Sequence, residues 1–387
     1  MLLLKSESLQ YVGCMAMMAL CRENVEYQNQ MCEEGGVAHR NNLQAQNKIA
    51  DGNAVPVLVG LMVNPPSQEI QVEVACSLAC IVLGNTENQE KLKEIPSFKY
   101  STLLNLLKVR NENIRLQAGT ALAIFGFNNT PQQYAIREAG GISYSLFLPF
   151  LTSDNEFYRA SASFQIVVLA RVIMDRDQVS LTAEGVTSLV ELLKSKTDNV
   201  VILSASLLSS LAHTRAGIPD AMVTSGAVDV LIEHLNSKYN LVRTSCAVAL
   251  GYLSFNKTAA RKLFSCCRDK PGLYDKLIEN IDTDAKISSE FKQDFERAKK
   301  IGLPSQSLEK NGGPPACPPK RQGSCRPKTG MSHRREYRDS RASTARSRFA
   351  ARAVSAPAKT RVALLVSARN WHLLFYQHNL YEFTGLL

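Results

Sequence analysis

The sequence predicts an all-α chain: a helical solenoid of about six repeats, the first of them incomplete, followed by a disordered basic tail. The first observation is a pattern that recurs six times: a small residue, an apolar residue four positions later, and another three after that. The small positions are Gly13, Ala75, Ala118, Ala162, Ser204 and Cys246; their partners are Met17/Leu20, Ala79/Val82, Leu122/Phe125, Ile166/Leu169, Leu208/Leu211 and Leu250/Leu253. Steps of four and seven residues nearly complete one and two helical turns, so each triplet lies on one face, and the small member lets a neighbouring helix come close. The second observation is the spacing. From Ala75 onward successive small positions lie 43, 44, 42 and 42 residues apart, the fixed period of a repeat architecture. The third is an abrupt change after Ile301: 7 of the 15 prolines fall in 303–387, and Gly312-Gly313-Pro314-Pro315 and Pro318-Pro319 exclude regular helix there.

Within each repeat the elements follow in order. Twelve residues before each of the last four small positions a second apolar helix ends, at Leu106-Leu107, Phe150-Leu151, Leu192-Leu193 and His234-Leu235. A shorter helix precedes it and closes on glycine, in Ala139-Gly140-Gly141-Ile142, Glu184-Gly185-Val186 and Ser225-Gly226-Ala227-Val228. Glycine adopts the left-handed conformation that ends one helix and redirects the chain. A three-helix unit with a glycine corner resembles the armadillo repeat, whose period the spacings match, whereas ankyrin and tetratricopeptide periods are shorter. The resemblance covers residues 8–281, with a capping helix over Asp284 to Ile301, and implies an armadillo-type right-handed superhelical solenoid. The expected organisation is an incomplete N-terminal armadillo repeat with an irregular junction over 1–54, armadillo repeats over 55–281, a C-terminal capping helix over 282–302 and a disordered Pro/Arg-rich tail over 303–387.

One spacing breaks the pattern. Gly13 and Ala75 are 62 residues apart, and two first-helix endings stand in tandem between them, Met31 to Val37 and Ile49 to Val55, only 18 residues apart. The equivalent of two long helices is missing, as in a shortened splice form or gene-model fragment; a natural loop insertion is the alternative.

Charge separates body from tail. The chain carries +10 overall, but residues 303–387 hold 15 Lys and Arg against 4 Asp and Glu, leaving residues 1–302 at −1. No apolar run reaches the ~18 residues that span a bilayer, and Met1-Leu2-Leu3-Leu4-Lys5 is too short for the core of a secretory signal. A reducing, intracellular setting is expected, cytoplasmic with the nucleus as a second location. Cys14, Cys21, Cys76, Cys80 and Cys246 sit inside apolar helical patterns as small hydrophobes, and neither Cys266-Cys267 nor Cys317/Cys325 has companions at zinc spacing. No metal or cofactor is expected.

Solenoids present a long surface to partners. On the third helix of each repeat, the positions two and six after the small residue face the same way and are read as exposed. They are Met15/Ala19, Ser77/Ile81, Thr120/Ile124, Phe164/Val168, Ser206/Ser210 and Val248/Tyr252. In the nuclear-import adaptors that this fold resembles, such positions carry Trp and Asn ladders that capture basic peptides. Neither ladder is present, since the single tryptophan is Trp371 in the tail, so a nuclear-transport adaptor is disfavoured. The expected partner groove instead buries a partner's apolar groups against Ile124, Phe164, Val168, Val248 and Tyr252, with Thr120, Asn128, Ser206 and Ser210 supplying hydrogen bonds. The competing reading has these side chains packing against neighbouring repeats. Asn85, Asn128 and Asn256, each ten residues after its small position, either bond a ligand backbone or end the helix in the left-handed conformation. There is no phosphate-cradling loop, dinucleotide fingerprint, HExxH helix or GxSxG elbow, so no catalytic residue is expected.

In the tail, Lys320-Arg321, a gap of 12 residues, and Arg334-Arg335-Glu336-Tyr337-Arg338 resemble a bipartite nuclear-import signal. Weak nucleic-acid or acidic-lipid contact through the same cations competes with it. The functional expectation is a non-catalytic scaffold holding protein partners in the groove, with tail-driven polyanion binding as the alternative.

Overall fold

A helix leaves its first amides without partners inside the helix, and this sequence places an oxygen-bearing side chain before most of its helices. Ser67, Asn111, Asn155 and Ser288 cap third helices by accepting from the backbone N–H two or three residues on. Asn85, Asn129 and Asn256 do the same for first helices. The computed structural model describes residues 46–47, 49–281 and 287–302. The Gly13 repeat, the tandem endings before residue 46, the start of the capping region and the whole tail, with the import-signal match, lie outside the described residues.

The elements run in triplets, except in one unit that has two helices. A second and third helix, α1 (Ala54–Val63) and α2 (Gln68–Val82), come first. They are followed by α3 (Thr86–Lys93), α4 (Tyr100–Leu106) and α5 (Glu112–Gly126). Next are α6 (Thr130–Glu138), a 3-10 turn (Tyr144–Leu146) running into α7 (Leu148–Leu151), and α8 (Glu156–Val168). Then come α9 (Gln178–Leu192) and α10 (Asp198–Leu211), and after them α11 (Ile218–Thr224), α12 (Ala227–His234) and α13 (Asn240–Leu253). The stack ends with α14 (Lys257–Asp269), α15 (Leu273–Glu279) and α16 (Ser289–Ile301). The second helices end at Leu106, Leu151, Leu192 and His234, at the offsets read from the sequence. The five described small positions, Ala75, Ala118, Ala162, Ser204 and Cys246, are fully buried, and so are their partners four and seven residues on. Apart from Ala162, which packs with Leu116 and Phe150, and the polar Ser204, the triplets belong to one hydrophobic core that runs from repeat to repeat.

Two glycine corners form as expected: Gly141 and Gly226 have φ of 61° and 81°, in the left-handed region. Gly185 corrects the third. It lies inside α9, which runs unbroken through the position of the expected corner, so that the first and second helices of this repeat are one continuous helix. Residues 169–177 link α8 to that helix. Ile142 N–H donates to the Val172 carbonyl at 3.2 Å and Met174 N–H to the Ile142 carbonyl at 3.0 Å, an isolated β-bridge and the one piece of β-structure among the described residues. What Gly185 provides is proximity: a Cβ there would stand 2.5 Å from the Ser163 carbonyl oxygen and 2.5 Å from Val167 Cγ2, so α9 lies directly on the backbone of α8. No helix among the described residues is long and apolar enough to cross a membrane.

Candidate functional site

The third helices α2, α5, α8, α10 and α13 each pack against the next and against the second helix of their own repeat. That enclosure corrects the reading of the positions two and six after the small residue as exposed. Ile124 and Phe164 are each 1% exposed, Tyr252 is 2%, and Thr120, Val168, Ser206 and Ser210 are also buried; Val248 alone among the apolar candidates is half-buried. Phe164 stacks on Phe127 with ring centroids 6.2 Å apart, and Tyr252 meets His213 edge-on at 4.3 Å. These side chains join one repeat to the next. The polar members bond within their own helix or across to the next repeat. Thr120 Oγ1 donates to the Leu116 carbonyl (3.0 Å) and accepts from Gln165 Nε2 (2.8 Å), while Ser210 Oγ donates to the Ser206 carbonyl (3.1 Å).

The three asparagines divide. Asn128 takes the left-handed conformation with φ 50° and is exposed, whereas Asn85 and Asn256 are extended and cap the following helix. Asn128 is one residue ahead of the cap because Asn129 performs that task for α6.

Two of the candidate residues do converge. Asn128 and Val168 line a cleft of about 180 Å³ where the end of α5, the end of α8 and the segment after α10 meet. Two arginines that the sequence reading missed, Arg171 and Arg215, line it with Gln133 and Thr214. Arg215 Nη2 donates to the Val167 carbonyl at 2.6 Å and to Thr182 Oγ1 at 3.1 Å; Arg171 Nη1 donates to Thr130 Oγ1 at 3.0 Å. Neither guanidinium forms an ion pair among the described residues. Burial, followed by the neighbouring Arg171 charge, depresses the pKa of Arg215. Gln133, 8% exposed, donates from Nε2 to the Gly126 and Val168 carbonyls, which leaves its buried Oε1 with no donor. Cations nine and eleven residues past their small positions in two consecutive repeats were the signal available in the sequence. Only the stacking of the repeats shows that they share a site.

Beside Tyr252, His213 is walled by Phe255 at 5.7 Å, and burial drops its pKa to about 4. Its Nε2 and the Tyr252 hydroxyl are both buried without hydrogen-bond partners.

No family profile matches the chain. It is 42% identical over 354 residues to mouse (Mus musculus) ankyrin and armadillo repeat-containing protein, an alignment covering 84% of this chain. To the human (Homo sapiens) protein of the same name it is 43% identical over 284 residues, covering 73%. The chain spans 24% and 20% of the length of these relatives. Among solved structures, a designed armadillo repeat protein aligns over 64% of this chain and 98% of its own at 19% identity and a TM-score of 0.41. Another, in complex with the peptide (KR)4, aligns over 62% of this chain and 98% of its own at 20% identity and a TM-score of 0.38. Helix triplets at a fixed period, a core that runs from repeat to repeat and this degree of identity make the chain an armadillo-repeat solenoid, homologous to a segment of ankyrin and armadillo repeat-containing protein.

Proposed function

We propose that the chain is a non-catalytic scaffold that holds partner proteins against the wall of third helices. The observation that carries the reading is the cleft at the ends of α5, α8 and α10, where three successive repeats contribute side chains to one site. A surface assembled from several repeats suits an extended partner segment that crosses them in turn. The interior placement of Phe164 and Tyr252 moves the contact away from those side chains, to Asn128, Val248 and the rim of the cleft. The basic tail, with its 15 cations, is the second candidate for contact, with polyanions.

Affinity purification tests both. The full chain, a form ending at residue 302, the pair Asn128→Arg with Val248→Arg, and Tyr134→Arg on first helix α6 are compared, with retained proteins identified by mass spectrometry and helix content checked by circular dichroism. Partners kept without the tail, kept by Tyr134→Arg and lost with the paired substitution are expected. Retention unaffected by the pair, or abolished by tail removal alone with steep salt dependence, overturns the groove.

A further inference from the structure

We propose that the cleft bounded by Arg171, Arg215, Gln133 and Asn128 binds an acidic residue of an extended partner segment, its carboxylate held by the two guanidinium groups and a backbone N–H of the segment donated to Gln133 Oε1. The inference rests on the scaffold reading and gives it a chemistry.

The charge balance is the first support. A guanidinium offers five N–H donors in a planar fork. Arg215 uses only Nη2 and Arg171 only Nη1 in bonds among the described residues. Two cations face one small cleft with no ion pair among the described residues, and like charges held close gain from an anion placed between them. The second support is the unmet acceptor. Gln133 spends its amide N–H groups on the carbonyls that end α5 and α8, so its Oε1 is fixed in place while lacking a donor. A buried acceptor without a partner is uncommon in a folded protein and marks where a donor from elsewhere fits. The ligand chemistry must therefore offer a negative group and an N–H a short distance apart. An aspartate or glutamate in a peptide has both; a bare anion has only the first.

Size selects among acidic ligands. About 180 Å³ is the share of roughly six waters and lies below the ~300–1,000 Å³ of pockets that enclose whole small molecules. The cleft accommodates one side-chain carboxylate and leaves the rest of the segment outside, along the helix ends. Asn128, exposed beside it, carries both donor and acceptor for the backbone that continues.

The probes are three fluorescently labelled peptides, (Gly-Glu)4, (Gly-Gln)4 and (Gly-Lys)4, titrated with the full chain and read by anisotropy. Binding of (Gly-Glu)4 in preference to both others is expected, and the double variant Arg171→Gln/Arg215→Gln should weaken it by about tenfold or more. Arg171→Gln alone, which gives up only a bond to the exposed Thr130 hydroxyl, should weaken it severalfold and guards against a folding defect in the double variant. Because the tail is itself cationic, Arg334→Gln/Arg335→Gln/Arg338→Gln is run beside them. Affinity that follows the tail substitutions and ignores Arg171 and Arg215 overturns the proposal, and so does equal affinity for (Gly-Glu)4 and (Gly-Gln)4. A phosphoserine peptide without carboxylate side chains that binds more tightly than (Gly-Glu)4 also overturns it. If the acidic peptide fails while partners are still lost through Asn128→Arg with Val248→Arg, the acidic assignment falls and the scaffold stands; if both fail, the scaffold falls as well.

Discussion

Replacing Gly185 by alanine sets two effects of known size against each other. Alanine is the better helix former by about 1 kcal/mol, and Gly185 sits inside α9, so propensity alone favours the change. The added methyl, however, would stand 2.5 Å from the Ser163 carbonyl oxygen, 2.5 Å from Val167 Cγ2 and 3.1 Å from Ile166 Cγ1. Valine and isoleucine side chains can rotate aside; a carbonyl inside α8 moves only if the helix moves. Overpacking of this kind costs about 1–3 kcal/mol, with the upper end expected when the obstacle is backbone. The net is a loss of about 2 kcal/mol, a fall of roughly 4–8 °C in Tm for a folded body of this size. Gly60→Ala is the matched control. Gly60 is also helical, in α1, but exposed, and a methyl added there would meet nothing within 4 Å, so it should gain about 0.5–1 kcal/mol. Thermal melts followed by circular dichroism decide: opposite signs are expected, and a Gly185→Ala protein as stable as the parent would refute the close approach of α8 and α9.

Two further perturbations probe the interior. Phe164→Ala should cost about 3–5 kcal/mol in urea unfolding because it empties a buried aromatic site, whereas Tyr252→Phe, which removes a buried hydroxyl that has no partner, should be neutral or stabilising. A Phe164→Ala protein of undiminished stability would return that ring to the surface. His213 should make stability depend on pH: the neutral imidazole is favoured in the folded state and its pKa falls from 6.5 to about 4, so its stabilisation is fully present above about pH 6.5 and is lost as the pH falls toward 4. The loss between pH 7.5 and 4.5 is about 2–3 kcal/mol, and His213→Leu should remove that component from urea titrations at the two pH values.

How much of this was legible in the sequence depended on whether the information lay within one repeat. The small positions and their apolar partners were readable because helical periodicity is local, and the ends of the second helices followed from the same period. Phe164 and Tyr252 were misplaced because a surface position on an isolated helix becomes interior once the helices before and after close over it, and no single repeat contains that fact. Gly185 looked like its counterpart Gly226, yet the same residue type serves a turn in one place and a helix contact in the other; only the backbone of α8 tells them apart. Asn85 and Asn256 were aligned correctly and assigned the wrong task, since a residue between two helices can finish the first or begin the second. Arg171 and Arg215 went unnoticed because they are 44 residues apart in sequence and become neighbours only through the superhelix.

A linear stack loosens from its two ends, where units have one neighbour in place of two. The bare contact at Gly185 lies well inside the described stack, with helices on both sides of it. Within the described stack the units around α8 and α9 have neighbours on both sides, so their amides should exchange with solvent more slowly than those of α1 or α16, which hydrogen exchange would check.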